Sequence, residues 1–175
     1  MPATKDSDAL ARGFPPVARP DARVLILGSL PSQRSIAKQQ YYGHPQNAFW
    51  RIMGELVGVT GGYAERCAAL VEHRIALWDV LAASVRPGSM DADIALDSAQ
   101  VNDFESFFEA HTAVRRICFN GQKAAQMFER FAAGIAGSRE TVILPSTSPA
   151  YASMRFEEKL SRWRAALAEE GNDDR

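Results

Sequence analysis

Cysteine and histidine are scarce in this chain, positive charge is not in excess, and no long apolar run occurs. Each shortage removes a class of function. There are two cysteines and three histidines among 175 residues. Two thiols cannot hold an iron–sulfur cluster, which takes four. Cys67 and Cys118 lie inside segments of apolar periodicity and read as core residues rather than as a disulfide framework. No His, Cys or carboxylate group has metal-ligand spacing, so neither a metal nor another cofactor is expected. The formal net charge is −1, which argues against a uniformly basic coat; nucleic-acid contact, if any, has to come from a local patch. Candidates are Arg34 and Lys38, Arg86, and Arg155, Lys159, Arg162 and Arg164, each of which reads equally as part of a solvated face. No apolar stretch approaches a membrane span, and Met1 to Asp8 is polar and acid-containing, unlike a secretory leader. A soluble, cytoplasmic protein is expected.

What is present fits one domain with a sizeable core, with 46% of residues apolar. Met1 to Asp21, with Pro15, Pro16 and Pro20, reads as a poorly ordered arm and extended lead-in, the domain as residues 22–168, and residues 169–175 as a fraying tail. Val24 to Leu27 is a continuous apolar run stopped by Gly28, suited to a strand covered on both faces, although periodicity alone also permits a buried helical turn. Phe49, Ile52, Met53, Leu56 and Val57 recur at helical spacing from near Asn47 to Gly58. Tyr63, Cys67, Leu70 and Val71 mark a second helix ending near His73. Ile75 to Val80 is a second strand, and Ser84 to Asp93 a polar loop with a basic tip at Arg86-Pro87-Gly88-Ser89. Asn102 and Glu105 have capping-box spacing before Phe104, Phe107 and Phe108. Arg116 to Phe119 is a third strand closed by Asn120-Gly121, which reads as turn chemistry. A helix through Ala124, Phe128 and Phe131 follows, then a fourth strand, Thr141 to Leu144, and a last helix with Phe156, Leu160, Trp163 and Leu167 on one face. Strands alternating with helices specify an α/β fold with a four-stranded, mostly parallel sheet.

The chemistry-bearing stretch is Arg23 to Trp50. Gly28 allows close backbone approach, Pro31 stiffens the loop, and Ser29 and Ser32 add hydroxyls, a composition able to cradle a phosphate or a base and equally that of an ordinary turn. Tyr41, Tyr42, His44, Asn47, Phe49 and Trp50 then join flat stacking surfaces to hydrogen-bonding groups, as a nucleobase pocket requires. The same residues suit a core covering, with His44 or Asn47 as a helix cap. Asp79, at the end of the second strand, is a site candidate or a cap.

The order of Gly28-Ser-Leu-Pro-Ser32, Gln40-Tyr-Tyr-Gly-His-Pro-Gln-Asn-Ala-Phe-Trp50 and, far downstream, Leu144-Pro-Ser-Thr-Ser-Pro-Ala150 resembles the uracil-DNA glycosylase superfamily, and within it the hypoxanthine-DNA (deoxyinosine) glycosylases. The likeness covers roughly Arg23 to Leu167. It implies a single-domain three-layer sandwich, and a monomer that hydrolyses the N-glycosidic bond of a deaminated base in DNA. Some branches of the superfamily carry an iron–sulfur cluster; with two cysteines this chain is not expected to. The resemblance implies Asn47 as the principal catalytic residue, orienting water at C1′. Gly28, Ser29, Pro31, Tyr42, His44, Phe49 and Asp79 would form the base pocket. Ser32, Arg86, Ser146, Thr147, Ser148, Arg155 and Lys159 would meet DNA, and Ala150, Tyr151 and Met154 would supply a wedge. Two departures matter: the better-known uracil enzymes carry Asp or Asn where this chain has Ser29, and many carry a His in the last motif. Weak uracil activity and a purine substrate that accepts a proton at N7 follow as expectations. A non-catalytic module for damaged or single-stranded DNA remains an alternative. A small-molecule serine hydrolase is disfavoured by the missing Gly-x-Ser-x-Gly elbow.

Overall fold

The computed structural model describes residues 10–86 and 94–168. Among them, β1 (Leu10–Arg12), β2 (Val24–Gly28), α1 (Gln33–Lys38), α2 (Phe49–Val57), α3 (Tyr63–Glu72), β3 (Ile75–Asp79), β4 (Leu81–Val85), β5 (Ala95–Val101), α4 (Phe104–Ala110), β6 (Arg116–Asn120), α5 (Gln122–Ala132), β7 (Glu140–Leu144) and α6 (Phe156–Ala168) follow in order. Strands β3-β2-β6-β7 form one sheet, every pair parallel.

The apolar run of β2 divides by strand alternation between two cores. Leu25 and Leu27, with Ala76, Trp78, Ile117 and Phe119 of the neighbouring strands, pack against Phe104, Phe107 and Phe108 of α4 and Ala124, Met127 and Phe128 of α5. Val24 and Ile26, with Ile75, Leu77 and Cys118, face Ile52 and Met53 of α2, Leu70 of α3 and Trp163 of α6. Two fully lined faces require helices on both sides, which makes the three layers. Helix α2 ends where Gly58 takes φ 70° and donates its N–H to Gly54 O.

The expected polar loop over residues 84–93 is in part a second sheet, of order β1-β4-β5. Leu81 and Ala83 are buried, but Ala82, Ala83 and Ser84 are all small and hide the period-2 signal. The polar members are satisfied inside the sheet: Ser84 Oγ donates to Ala95 O (3.0 Å), and Ser98 Oγ accepts from Val85 N (2.8 Å). Pro87, Gly88 and Ser89 lie outside the described residues.

The lead-in is also part of the fold from Leu10 onward. Val17 exchanges two 2.9 Å backbone hydrogen bonds with Leu77, covering the outer edge of β3. Tyr41 Oη donates to Pro15 O (2.9 Å) and Trp78 Nε1 to Phe14 O (3.2 Å). The cap of α4 is Asp103, which accepts from Ser106 N (3.1 Å); Asn102 instead donates its amide to Asp79 O (2.7 Å) and braces the end of β3.

Candidate active site

All four strands of the parallel sheet end on one side. The chain runs from β2 outward to β3 in one direction and from β6 outward to β7 in the other, so a crevice opens at the switch point between β2 and β6. A cleft of about 280 Å³ occupies it. The loop Gly28–Ser32, Tyr42, Asn47, Asp79, Asn120 and, from the last motif, Ser146–Ser148, Ala150 and Tyr151 line it.

Its floor is set by close approach. Gly28 lies in register beside Asp79, and a Cβ on Gly28 would fall 2.6 Å from Asp79 Oδ1 and 3.2 Å from Tyr42 Oη. Glycine is needed here for space, since any side chain would displace the carboxylate. Asp79 is 4% exposed. The wall is Tyr42, which adopts φ 54°, a left-handed conformation that costs a bulky residue on the order of 1–3 kcal/mol. The surrounding turn holds it there: Gly43 N donates to Ser35 Oγ (2.9 Å) and Lys38 Nζ to Gly43 O (2.9 Å). Ser35, 2% exposed, was not singled out by sequence because its partner lies eight residues away.

Phe49 is not on the wall. It is fully buried and stacks behind Tyr42 at 4.1 Å, with Trp163 against its edge; it backs the tyrosine that faces the cleft. His44 does not line the cleft either, and its Nδ1 accepts from Gln46 N (3.1 Å).

Asn47 stands just before α2, whose N-cap is Ala48. Its Oδ1 accepts from Phe49 N (2.9 Å) and its own N–H donates to His44 O (3.0 Å). The Phe49 N–H can be matched only by the amide oxygen, so the orientation of the amide is fixed. One lone pair of Oδ1 and the Nδ2 protons remain for a cleft occupant.

Across the cleft, Thr147 is 1% exposed. Asn120 grips it at two points, accepting from Thr147 N (2.9 Å) and donating to Thr147 Oγ1 (2.9 Å). Thr147 O in turn accepts from Ala48 N (3.0 Å). Hydrogen bonds of this kind contribute roughly 0.5–1.5 kcal/mol each, so the contact is worth more as geometry than as stability. Gly121 has φ 98°, and a Cβ there would come 3.1 Å from Ser146 Cβ, so the Asn-Gly pair seats the last motif against the start of α5. Ser146 Oγ accepts from Ser148 N and Ser148 Oγ from Ala150 N, both at 3.2 Å. Trp163 Nε1 donates to Pro145 O (3.0 Å).

Other expected contact residues prove to have structural partners. Ser32 borders the cleft, but it is the N-cap of α1, accepting from Ser35 N (3.1 Å). Pro31 is buried, as is Ser29, whose carbonyl accepts from Leu81 N (3.1 Å). Arg86 is 4% exposed and donates to the carbonyls of Leu30 and Pro31. It shores up the first loop from behind and is not a solvent-facing basic tip. Lys159 is also buried; its ammonium donates to Tyr151 O (2.6 Å), and burial lowers its pKa. Tyr151 itself is 39% exposed, and Arg155 is exposed.

The arrangement joins an aromatic wall, a buried carboxylate, an oriented amide and a hydroxyl-rich loop in a space suited to a flat heterocycle. The chain as a whole is similar to known proteins. The sequence profile of the uracil DNA glycosylase superfamily matches residues 15–170. The chain is 42% identical to a hypoxanthine DNA glycosylase of Methanosarcina acetivorans, over 90% of this chain and 98% of that one. It is 40% identical to a hypoxanthine DNA glycosylase of Methanosarcina barkeri, over 66% and 73%. A solution structure of a Methanosarcina acetivorans protein, provisionally described as a uracil DNA glycosylase, superposes with a TM-score of 0.79 at 40% identity, covering 92% of this chain and 98% of that one. The profile match over residues 15–170 and the 42% identity over nearly the whole of both chains place this chain in the uracil-DNA glycosylase superfamily.

Proposed function

We propose that the chain is a monofunctional DNA glycosylase of base excision repair acting on hypoxanthine in DNA. The observation that carries the reading is the fixed amide of Asn47 at a cleft walled by Tyr42 and floored by Gly28 and Asp79. The relatives named for hypoxanthine support the choice of base. Water adds to C1′ as the bond from C1′ to N9 breaks with its electron pair passing to the base. N7 takes a proton from solvent, which makes the purine a better leaving group, and the attacking water returns one to solvent, leaving a C1′ hydroxyl and neutral hypoxanthine. Asn47 Oδ1 accepts a hydrogen bond from the water and orients it, a role that needs position rather than charge. Tyr42 stacks on the extruded base, and Asp79 accepts from the N1–H of hypoxanthine. Ser29 leaves the first loop without the Asp or Asn of the better-known uracil enzymes, so uracil is a poor substrate.

The test is a panel of labelled duplexes, each carrying one hypoxanthine, xanthine or uracil, incubated in EDTA and then treated with alkali. Hypoxanthine is released with the strand intact until alkali is added. Because no His, Cys or carboxylate group in the sequence has metal-ligand spacing, chelation is expected to leave the rate unchanged. Tight binding without release of any base would make the chain a damage-binding module instead.

Phosphate contact rests on Arg155 and on the hydroxyls of Ser146 and Ser148 that flank the buried Thr147, with Tyr151 filling the vacated stack. Arg155→Ala is expected to weaken binding to all sequences alike and to reduce the slope of log K against log salt by about 1. Lys159→Ala, which removes a buried brace of Tyr151, lowers the thermal midpoint and leaves that slope unchanged. Fluorescence anisotropy over a salt series distinguishes them, and equal slope changes in both variants would make Lys159 a phosphate ligand after all.

A further inference from the structure

The amide of Asn47 is held by more than its own helix. Ala48, the next residue, donates its N–H to Thr147 O (3.0 Å), so the start of α2 is tied to the last motif across the cleft. Thr147 is in turn fixed by Asn120, through its N–H and its hydroxyl, both at 2.9 Å. Asn120 is the last residue of β6, in register with Leu144 at the end of β7; it is anchored to the rigid sheet rather than to a loop. The pairing is reciprocal. A backbone N–H needs the amide oxygen, and the amide nitrogen then reaches the hydroxyl, so only an amide or a carboxylate at position 120 reproduces both bonds. Thr147 is 1% exposed, so in the intact chain its N–H has the Asn120 amide as its partner.

We propose that Asn120 is a positioning residue of this site: through Thr147 and Ala48 it transmits the position of the central sheet to the amide of Asn47. The inference rests on the base-release reading above for its effect on rate, and on the hydrogen-bond path alone for its effect on structure. Asn120 sits at the switch-point end of β6, between the loops carrying the two motifs, where a single side chain can set their separation. Loss of the clamp lets the last motif shift, and the start of α2 shifts with it. A misplacement on the order of 1 Å costs catalysis roughly 10²-fold without any loss of a reacting group.

Two measurements on the full chain test this. In single-turnover reactions with saturating hypoxanthine duplex, Asn120→Ala is expected to slow base release roughly 10- to 100-fold with little change in DNA affinity. In the background of Asn47→Ala the same substitution is expected to slow it less than about 3-fold, because the residue it positions is gone. Asn120→Asp, which keeps an acceptor for Thr147 N and a second oxygen for the hydroxyl, restores the hydrogen bonds. Amide hydrogen exchange supplies the second readout. Asn120→Ala speeds exchange at Ala48 and Thr147 by about 10-fold or more while leaving Ile117 and Cys118 of the sheet protected, and Asn120→Asp returns both to the parent rates. Multiplicative rate losses in the double variant, or unchanged exchange at Ala48, would overturn the proposal. If the parent chain releases no base, the glycosylase reading fails on its own, and exchange at Ala48 still decides whether Asn120 holds the start of α2.

Discussion

Asn47→Ala is expected to leave the fold and the affinity for DNA nearly intact and to slow base release roughly 10²- to 10⁴-fold, equivalent to about 3–5 kcal/mol of barrier. The structure sharpens the contrast with a purely structural role. Asn47 Oδ1 accepts from Phe49 N, so alanine removes one hydrogen bond at the start of α2. The helix, however, keeps the Ala48 N bond to Thr147 O and a fully buried Phe49. The stability cost should stay within about 0.5–2 kcal/mol, the range for a lost cap. Asn47→Asp retains the oxygen facing Phe49 N and supplies a carboxylate for the water, so it preserves the midpoint and keeps part of the rate. Single-turnover rate and thermal midpoint measured on the parent and both variants separate the two roles. A parent-like rate with a lowered midpoint in Asn47→Ala would make Asn47 a structural residue and turn attention to Asp79.

Gly28→Ala is the second large effect. The added methyl would lie 2.6 Å from Asp79 Oδ1 and 3.2 Å from Tyr42 Oη. The first distance is shorter than contact allows, so the carboxylate or the strand must move. Both groups belong to the cleft, and displacing them is expected to lower single-turnover base release roughly 10²-fold, with about 1–3 kcal/mol of lost stability from overpacking. Asp79 is buried against the end of the sheet and has little room to rotate away. Removing the obstruction should restore stability. In an Asp79→Ala background, Gly28→Ala should lower the thermal midpoint less than it does in the parent chain, a coupling that a double-variant cycle measures directly. A parent-like rate in Gly28→Ala would move the base away from this floor.

The parallel sheet and its flanking helices were legible because their signals are local. Val24 to Leu27 is apolar without interruption since both faces of β2 are covered, and the spacing of Phe49, Ile52 and Met53 reports one buried helix face. Two motifs far apart in sequence, in the order of a known superfamily, were enough to place Asn47 and Ser146–Ser148 on one cleft, because parallel strands deliver their ends to one side. Strands β4 and β5 escaped notice since Ala82, Ala83 and Ser84 in one, and Asp97, Ser98 and Ala99 in the other, carry too little contrast between faces.

Which side chains face the cleft was a matter for the tertiary structure alone. Composition names Tyr42 and Phe49 equally as stacking surfaces, but the left-handed turn at Tyr42 and the phase of α2 put one on the wall and the other behind it. Arg86 and Lys159 look like solvent-facing cations in sequence. Their carbonyl acceptors, Leu30 and Pro31 for one and Tyr151 for the other, are brought to them by folding, which buries both charges. Asn120 reads as half of an Asn-Gly turn until β6 and β7 lie side by side and Thr147, 27 residues away, meets its amide. A sequence records what a residue can donate or accept; its partner is fixed only when distant segments close on one another, and that closure decides whether a polar group serves a ligand or the fold.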